Sequence, residues 1–183
     1  MSIAWSRPPK PASTARPLWD GTPSARAVRF AVPSGTMASG TPVPASASAQ
    51  DRILFVHGYL ESASLWSTMI KNFEKDGYSK SSLSAYSYNT SQSNKIDAEE
   101  VKSKVESLLK TTGASKVDIV AHLMGSLNSR WYIKFLGGES NVDDWVSLGG
   151  PNHGTETANL CFSTSCVEMR VGSTFLSELN AGD

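Results

Sequence analysis

The fold is decided by residues 116–125, which read Lys-Val-Asp-Ile-Val-Ala-His-Leu-Met-Gly. Residues 117–120 are apolar apart from one aspartate, which predicts a buried strand. Ala121 and Gly125 then bound a five-residue turn with the frame of a G-x-S-x-G nucleophile elbow. In that frame, small residues at both ends permit a sharp turn from strand to helix, and the central residue, Leu123, projects above the sheet.

Strands and helices alternate on both sides of this turn. Strands are predicted at residues 53–56, 83–88, 117–120 and 145–148. Apolar side chains at helical spacing predict helices that end at Gly77, Gly113 and Gly137, the second of them capped by Asp97. This alternation indicates an α/β fold with a parallel, doubly wound sheet.

The exits of two strands carry the candidate site, because ligands bind beyond the carboxyl ends of such strands. The first strand leaves through Val56-His57-Gly58-Tyr59, where the glycine lets the backbone approach a negatively charged oxygen. We therefore predict that the backbone amides of Tyr59 and Met124 form an oxyanion hole.

The overall composition excludes several classes of protein. The chain has 183 residues, 39% of them hydrophobic, and no formal net charge at pH 7. No apolar run reaches the roughly 18 residues of a transmembrane segment, and no run of Lys or Arg predicts binding to nucleic acid. Two cysteines alone cannot supply the four ligands of a structural zinc ion, so no metal site is predicted.

Residues 1–50 differ from the rest of the chain. They hold eight of the nine prolines, and five basic residues against one acid. We interpret them as a disordered or degraded leader, followed by a domain at residues 51–183. Residues 45–49 resemble the cleavage site of a secretory signal, but the apolar stretch before them is interrupted by Arg29. A damaged leader and a plain disordered tail both stay open.

Several stretches resemble the small secreted α/β-hydrolase lipases of class 2, in that family's order and spacing. They are residues 55–59, residues 116–125, residues 145–155 and the loop from Cys161 to Cys166. The likeness runs from about residue 52 to the end of the chain, and it implies an α/β-hydrolase fold with the first and third strands adjacent at the centre. It also implies a secreted hydrolase of acylglycerols or other fatty-acyl esters that works through an acyl-enzyme and needs no cofactor.

The catalytic positions depart from the pattern of that family. Its nucleophile is a serine at the centre of the elbow, where this chain has Leu123. Ser126 lies three residues further on, inside the next helix, and is interpreted as a structural residue. The family's catalytic Asp and His follow further strands, which would come after Asp183.

The other ionisable candidates have no expected catalytic role. His57 belongs to the oxyanion turn, His122 flanks the elbow, and His153 lies in the loop after the fourth strand. None of them matches the family's general base, and local hydrogen bonding is expected of a histidine in a loop. Asp143 and Asp144 are interpreted as solvated carboxylates rather than as an acid–base pair.

Two pairs of residues flank the predicted site. A disulfide between Cys161 and Cys166 would close a short loop, in agreement with the family's pattern and with an oxidising compartment. Tyr59 and Leu60 either line a groove for an acyl chain or cover the sheet.

Two classes of function follow from these patterns. The first is a lipase-family protein that is inactive because its nucleophile is missing. The second is a non-catalytic module that binds a lipid or a protein on the same fold. Loss of sheet strands argues against the second class, because a selected binding module should keep its core intact.

Overall fold

A parallel sheet forms the centre of residues 51–182, the part of the chain that this computed structural model describes. Its strands are β1 (Ile53–Val56), β2 (Leu83–Ala85), β3 (Val117–His122) and β4 (Val142–Leu148). They pair in the order β2-β1-β3-β4, and each pair is parallel. The predicted parallel sheet, with the first and third strands at its centre, is confirmed, whereas the interpretation of residues 1–50 lies outside the described residues.

Helices cover both faces of the sheet. Over residues 51–182 they are α1 (Ser67–Lys75), α2 (Asn94–Thr112), α3 (Gly125–Phe135), α4 (Thr164–Met169) and α5 (Thr174–Leu179). Short 3-10 helices occur at Ala63–Trp66, Lys80–Ser82, Gly138–Ser140 and Glu156–Leu160. None of the helices in this range has the length and apolar character that crossing a membrane requires.

Alternate residues of β1 pack into two separate cores. Leu54 and Val56 join the larger core, together with apolar side chains of α2, α3 and α5. Ile53 and Phe55 point to the opposite face, where they pack with Trp66 and with partly buried side chains of α1. All four residues are buried, as expected of a strand that is covered on both faces. The position of β1 is therefore fixed from both sides.

The prediction for the start of α2 was wrong. Ser93, not Asp97, caps this helix, and its side chain accepts a hydrogen bond from a backbone amide of the first turn. Asp97 lies one turn inside the helix, fully buried, and accepts a hydrogen bond from Gln92. The helix begins earlier than predicted because the amide and side chain of Asn94 both donate to Glu168 of α4, a contact between residues distant in sequence.

Two strand boundaries also differ from the prediction. The second strand ends at Ala85 instead of residue 88, and the chain then leaves the sheet. The fourth strand begins at Val142 instead of residue 145. Its two aspartates obscured the strand pattern in the sequence, although the Asp144 amide donates to the side chain of Asp118 on β3.

Two buried carboxyl groups predict how the stability of the fold depends on pH. Burial raises the pKa of both Asp97 and Asp118 to about 7, whereas a carboxyl group in an unfolded chain has a pKa of about 4. The folded state binds these protons more tightly, so the stability they contribute is complete below pH 4 and is lost as the pH rises through 7. Since one pKa unit corresponds to about 1.4 kcal/mol, we expect the free energy of unfolding to fall by up to about 4 kcal/mol per group across that range.

Urea unfolding at several pH values tests this expectation. Asp97→Asn and Asp118→Asn should each flatten the profile between about pH 4 and pH 7, because neither replacement can ionise. Glu74→Gln, which alters an exposed carboxylate on α1 that contributes to neither pKa shift, is the control and should keep the wild-type profile. The raised pKa values of Asp97 and Asp118 are contradicted if the stability of their variants falls with pH as steeply as that of the control.

Candidate functional site

The turn between β3 and α3 holds Leu123 in an unusual backbone conformation. Its φ angle is 46°, in the left-handed region that residues with a β-carbon rarely adopt. Its amide donates to the Leu148 carbonyl at 3.0 Å, and its carbonyl accepts from the Ser126 amide at 3.0 Å. We call residues 121–125 the elbow; Leu123 stands at its tip and is 39% exposed.

Two glycines let the elbow touch the end of β1. A β-carbon on Gly125 would lie 2.6 Å from the carbonyl oxygens of Val56 and His57. A β-carbon on Gly58 would lie 2.8 Å from that of Leu123. Because a larger residue at either position would overlap these atoms, glycine is what permits the direct contact between the two segments. We call residues 57–61 the oxyanion turn.

The amides of Tyr59 and Met124 are the two predicted oxyanion donors. Neither amide has a hydrogen-bond acceptor among residues 51–182. Neighbouring amides on both segments are engaged: that of Leu60 donates to Thr90 at 3.2 Å, and that of Leu123 donates to Leu148. Two unengaged donors on adjacent segments are what binding of a carbonyl oxygen requires, so the oxyanion hole stays a prediction that this geometry supports.

A single carboxylate oxygen joins the oxyanion turn to the elbow. Oε2 of Glu61 accepts a hydrogen bond from the Gly58 amide at 2.7 Å and lies 2.8 Å from Nδ1 of His122. Unless it is protonated, a carboxylate can only accept hydrogen bonds, so Nδ1 of His122 carries the hydrogen and donates it. Glu61 therefore links the exits of β1 and β3.

The other two histidines have different surroundings. His57 is fully buried, and its Nδ1 donates to the Gly58 carbonyl at 2.9 Å. Burial lowers the pKa of His57, so its ring is neutral at pH 7. His153 lies exposed in the loop after β4. In the described part of the chain, neither of these rings forms a hydrogen bond to the elbow.

Ser126 lies beneath the elbow rather than at its tip. The residue is fully buried, and its hydroxyl oxygen accepts a hydrogen bond from Ser147 of β4 at 2.9 Å. A buried and engaged hydroxyl cannot meet an ester that arrives from solvent.

The whole described region matches one family of enzymes. A family model for the lipases of class 2 matches residues 50–183. The chain belongs to this family.

Solved structures share its fold. The mature form of the Bacillus licheniformis lipase BlEst2 superposes with a TM-score of 0.66 at 21% identity, over 78% of this chain and 62% of that chain. Lipase B from Aspergillus fumigatus gives 0.62 at 18% identity, over 76% of this chain and 36% of that one. The Legionella pneumophila phospholipase PlaB superposes with a TM-score of 0.57 at 15% identity, over 71% of this chain and 35% of that chain. These likenesses establish the α/β-hydrolase fold, and this chain spans 62% or less of each structure.

The predicted disulfide is confirmed. Cys161 and Cys166 are bonded and close the loop that leads into α4. Arg170 donates to the Cys161 carbonyl at 2.9 Å, and the Ser163 hydroxyl lies 3.5 Å from the Tyr59 hydroxyl. The disulfide loop therefore lies against the oxyanion turn.

Apolar side chains are exposed on these two segments. Leu60 is 76% exposed and has a φ angle of 58°, which makes it the second non-glycine residue with positive φ among the described residues. Phe162 of the disulfide loop and Leu160, which directly precedes the loop, are more than 80% exposed. Tyr59, by contrast, packs against the larger core. The side chain of Leu60 is therefore available to a ligand from solvent, and a role in lining an acyl groove stays a prediction.

The sequence interpretation missed two residues of this site, Glu61 and Tyr88. Tyr88 lies behind the oxyanion turn, and its hydroxyl donates to the His57 carbonyl at 2.5 Å. No local pattern reveals this contact, because 31 residues separate its partners. The role of Glu61 could have been predicted from the sequence, because an acidic residue three positions after Gly58 can accept a hydrogen bond from the Gly58 amide.

Replacement of Glu61 tests its role in joining the two segments. Glu61→Ala removes the acceptor of two hydrogen bonds and should lower the free energy of unfolding by about 1–3 kcal/mol, because both donors lose their partner. Without this acceptor, the ring hydrogen of His122 is no longer held on Nδ1 and can also occupy Nε2, and ¹⁵N NMR of the ring detects this change of tautomer. Glu61→Gln keeps one acceptor oxygen and should retain most of the stability.

The control is Glu74→Ala, which removes an exposed glutamate on α1. Equal melting temperatures for Glu61→Ala and the control, with an unchanged His122 spectrum, would show that the contact does not form in solution.

Proposed function

We propose that this chain forms the elbow and oxyanion part of a secreted carboxylic-ester hydrolase and does not itself hydrolyse esters. One observation carries this proposal: Leu123 occupies the tip of the elbow, in the left-handed conformation, at the position where the family has serine. A leucine side chain has no atom that can attack an ester carbonyl, so no acyl-enzyme can form there.

The proposed substrate class is a fatty-acyl ester. Family membership supports it, and so do the unengaged amides of Tyr59 and Met124, which can bind a carbonyl oxygen. The hydrolytic chemistry of this family uses side chains and water, so we propose no cofactor. The disulfide supports a secreted location, because such bonds persist in oxidising compartments.

The described histidines also leave the site without a general base. His122 belongs to the elbow, but its ring lies against Trp66 of the smaller core, with the centroids 6.4 Å apart, and among the described residues its hydrogen bond goes to Glu61 and not to residue 123. The His57 ring lies fully buried, with its Nδ1 bonded to its own turn. Restoring a hydroxyl at position 123 would therefore supply a nucleophile that no described imidazole is placed to deprotonate.

A second candidate function is non-catalytic binding of fatty-acyl groups. The exposed side chains of Leu60, Leu160 and Phe162 favour it, because they lie on two segments that meet beside the elbow. The two candidates differ in one measurable property, namely retention of a fatty-acyl ligand without turnover.

Ester hydrolysis tests the first proposal. The 183-residue chain should release p-nitrophenol from a short-chain ester no faster than the blank. Leu123→Ser should add little, because the introduced hydroxyl lacks a base. An organophosphonate that labels activated serines should leave both proteins unmodified, with Ser126→Ala as the control for labelling elsewhere.

One result would contradict this proposal. If the unmodified chain hydrolyses the ester well above the blank, and loses that activity on unfolding but not in Ser126→Ala, then a site other than the elbow is active.

Ligand binding tests the second candidate. Tryptophan fluorescence should report saturable binding of palmitate to the unmodified chain, and the Leu60→Ser, Phe162→Ser double variant should weaken it about tenfold or more, since about 1.4 kcal/mol corresponds to a factor of ten. An Ile96→Ser control on the exposed face of α2 should bind as the unmodified chain does. Absence of saturable binding, or a loss of binding in this control as large as in the double variant, would contradict this candidate.

A further inference from the structure

Tyr88 lies directly behind the oxyanion turn and touches it in two ways. Its hydroxyl donates to the His57 carbonyl at 2.5 Å. Its ring stacks on the His57 ring, with the centroids 4.2 Å apart and the planes inclined by 20°. The carbonyl oxygen can only accept, so the direction of this hydrogen bond is fixed.

The same hydroxyl is also joined to the helix that begins at the elbow. Nδ2 of Asn128 donates to the Tyr88 hydroxyl oxygen at 3.1 Å. Asn128 lies in the first turn of α3, four residues after Met124. The chain Asn128–Tyr88–His57 therefore connects the two segments that carry the amides of Tyr59 and Met124.

Placement of the His57 carbonyl constrains the amides that follow it. This carbonyl belongs to the peptide that enters Gly58, and a glycine restricts its own backbone less than any other residue does. Without external contacts, the Tyr59 amide could adopt many directions. The Tyr88 hydroxyl fixes the peptide from the interior, while Glu61 holds the Gly58 amide from the other end of the turn.

We propose that Tyr88 is a positioning residue that holds the Tyr59 amide in register with the Met124 amide through its bridge from Asn128 to His57. The inference rests on the proposed function of the two amides as an oxyanion hole. Tyr88 itself touches no reacting atom.

Tyr86 offers a matched comparison two residues earlier in the chain. It is 9% exposed, and its ring lies 5.7 Å from that of Tyr88, measured between centroids. Its hydroxyl has no hydrogen-bond partner among the described residues. Removing either hydroxyl takes one buried oxygen from the same region, but only Tyr88→Phe breaks the bridge. Burial raises the pKa of both tyrosines above the ordinary value, so neither replacement changes the charge near neutral pH.

A thiol at the tip of the elbow reports on the amides without any need for turnover. Leu123→Cys introduces it into the full-length chain, whose own two cysteines are bonded to each other. A thiolate is stabilised by amides that point at it and by the start of α3, which lowers the pKa of the thiol. The rate of alkylation by iodoacetamide, measured from about pH 5 to about pH 10, gives that pKa.

The ionisable groups near the introduced thiol stay constant throughout the series. Glu61 and His122 are joined beside Gly58, and His57 lies behind the turn. Glu61→Gln is present in every variant, because the carboxylate beside the thiol would oppose a negative charge there. The two histidines are kept throughout, so direct charge effects cancel when variants are compared.

We expect the thiol pKa of the Leu123→Cys, Glu61→Gln protein to lie below its value in the same protein unfolded by guanidinium chloride. Adding Tyr88→Phe should raise the pKa by about 0.5 or more, which is roughly a threefold loss of thiolate at lower pH. Adding Tyr86→Phe should leave the thiol pKa unchanged. Asn128→Ala should raise it in the same direction as Tyr88→Phe, because the bridge loses its connection to α3.

Three outcomes would overturn the inference. In the first, Tyr88→Phe lowers the melting temperature but leaves the thiol pKa where it was, so Tyr88 is only structural. In the second, Tyr86→Phe raises the pKa as much as Tyr88→Phe does. In the third, Tyr88→Phe does not fold and Asn128→Ala leaves the thiol pKa unchanged. If instead the thiol of the Leu123→Cys, Glu61→Gln protein titrates as it does in the unfolded chain, the oxyanion hole and the proposed function fail, regardless of Tyr88.

Discussion

The elbow packs directly on the carboxyl end of β1, and the rest of the site depends on that contact. Gly125 approaches the carbonyl oxygens of Val56 and His57 so closely that a β-carbon would overlap them. β1 cannot move away, because its four residues are buried between two layers of helices. Strain at the tip, where Leu123 has a φ angle of 46°, is therefore maintained by the surrounding fold.

Leucine has no intrinsic preference for this left-handed conformation. A left-handed residue with a branched side chain costs roughly 1–2 kcal/mol relative to its relaxed backbone. The elbow forms nonetheless, because hydrogen bonds on both sides and the buried α3 outweigh a cost of that size. Geometry at the tip thus follows from the packing of β3, β1 and α3, and the side chain at position 123 decides only the chemistry.

The parts of the molecule that could be predicted are those in which one segment determines its own structure. The apolar run of β1 and the small residues that flank Leu123 predict a buried strand and a sharp turn. Contacts between distant residues could not be predicted: α2 begins early because Asn94 binds Glu168, 74 residues away. The two short helices α4 and α5 escaped prediction because six residues are too few to show a helical repeat, although serine caps start both.

Glu61 gives the site an electrostatic character that differs from what ester hydrolysis needs. In that reaction a negative oxygen develops between the two amides, and a carboxylate within about 6 Å opposes it by on the order of 3 kcal/mol at an effective dielectric constant of 20. Glu61 lies beside the tip of the elbow, because a β-carbon on Gly58 would be 2.8 Å from both its Oε2 and the β-carbon of Leu123. Its contact with Nδ1 of His122 offsets the opposition only when the ring is protonated. A neutral carbonyl oxygen meets no such opposition, so the pair of amides beside Leu123 is better suited to holding an acyl group than to stabilising its tetrahedral intermediate.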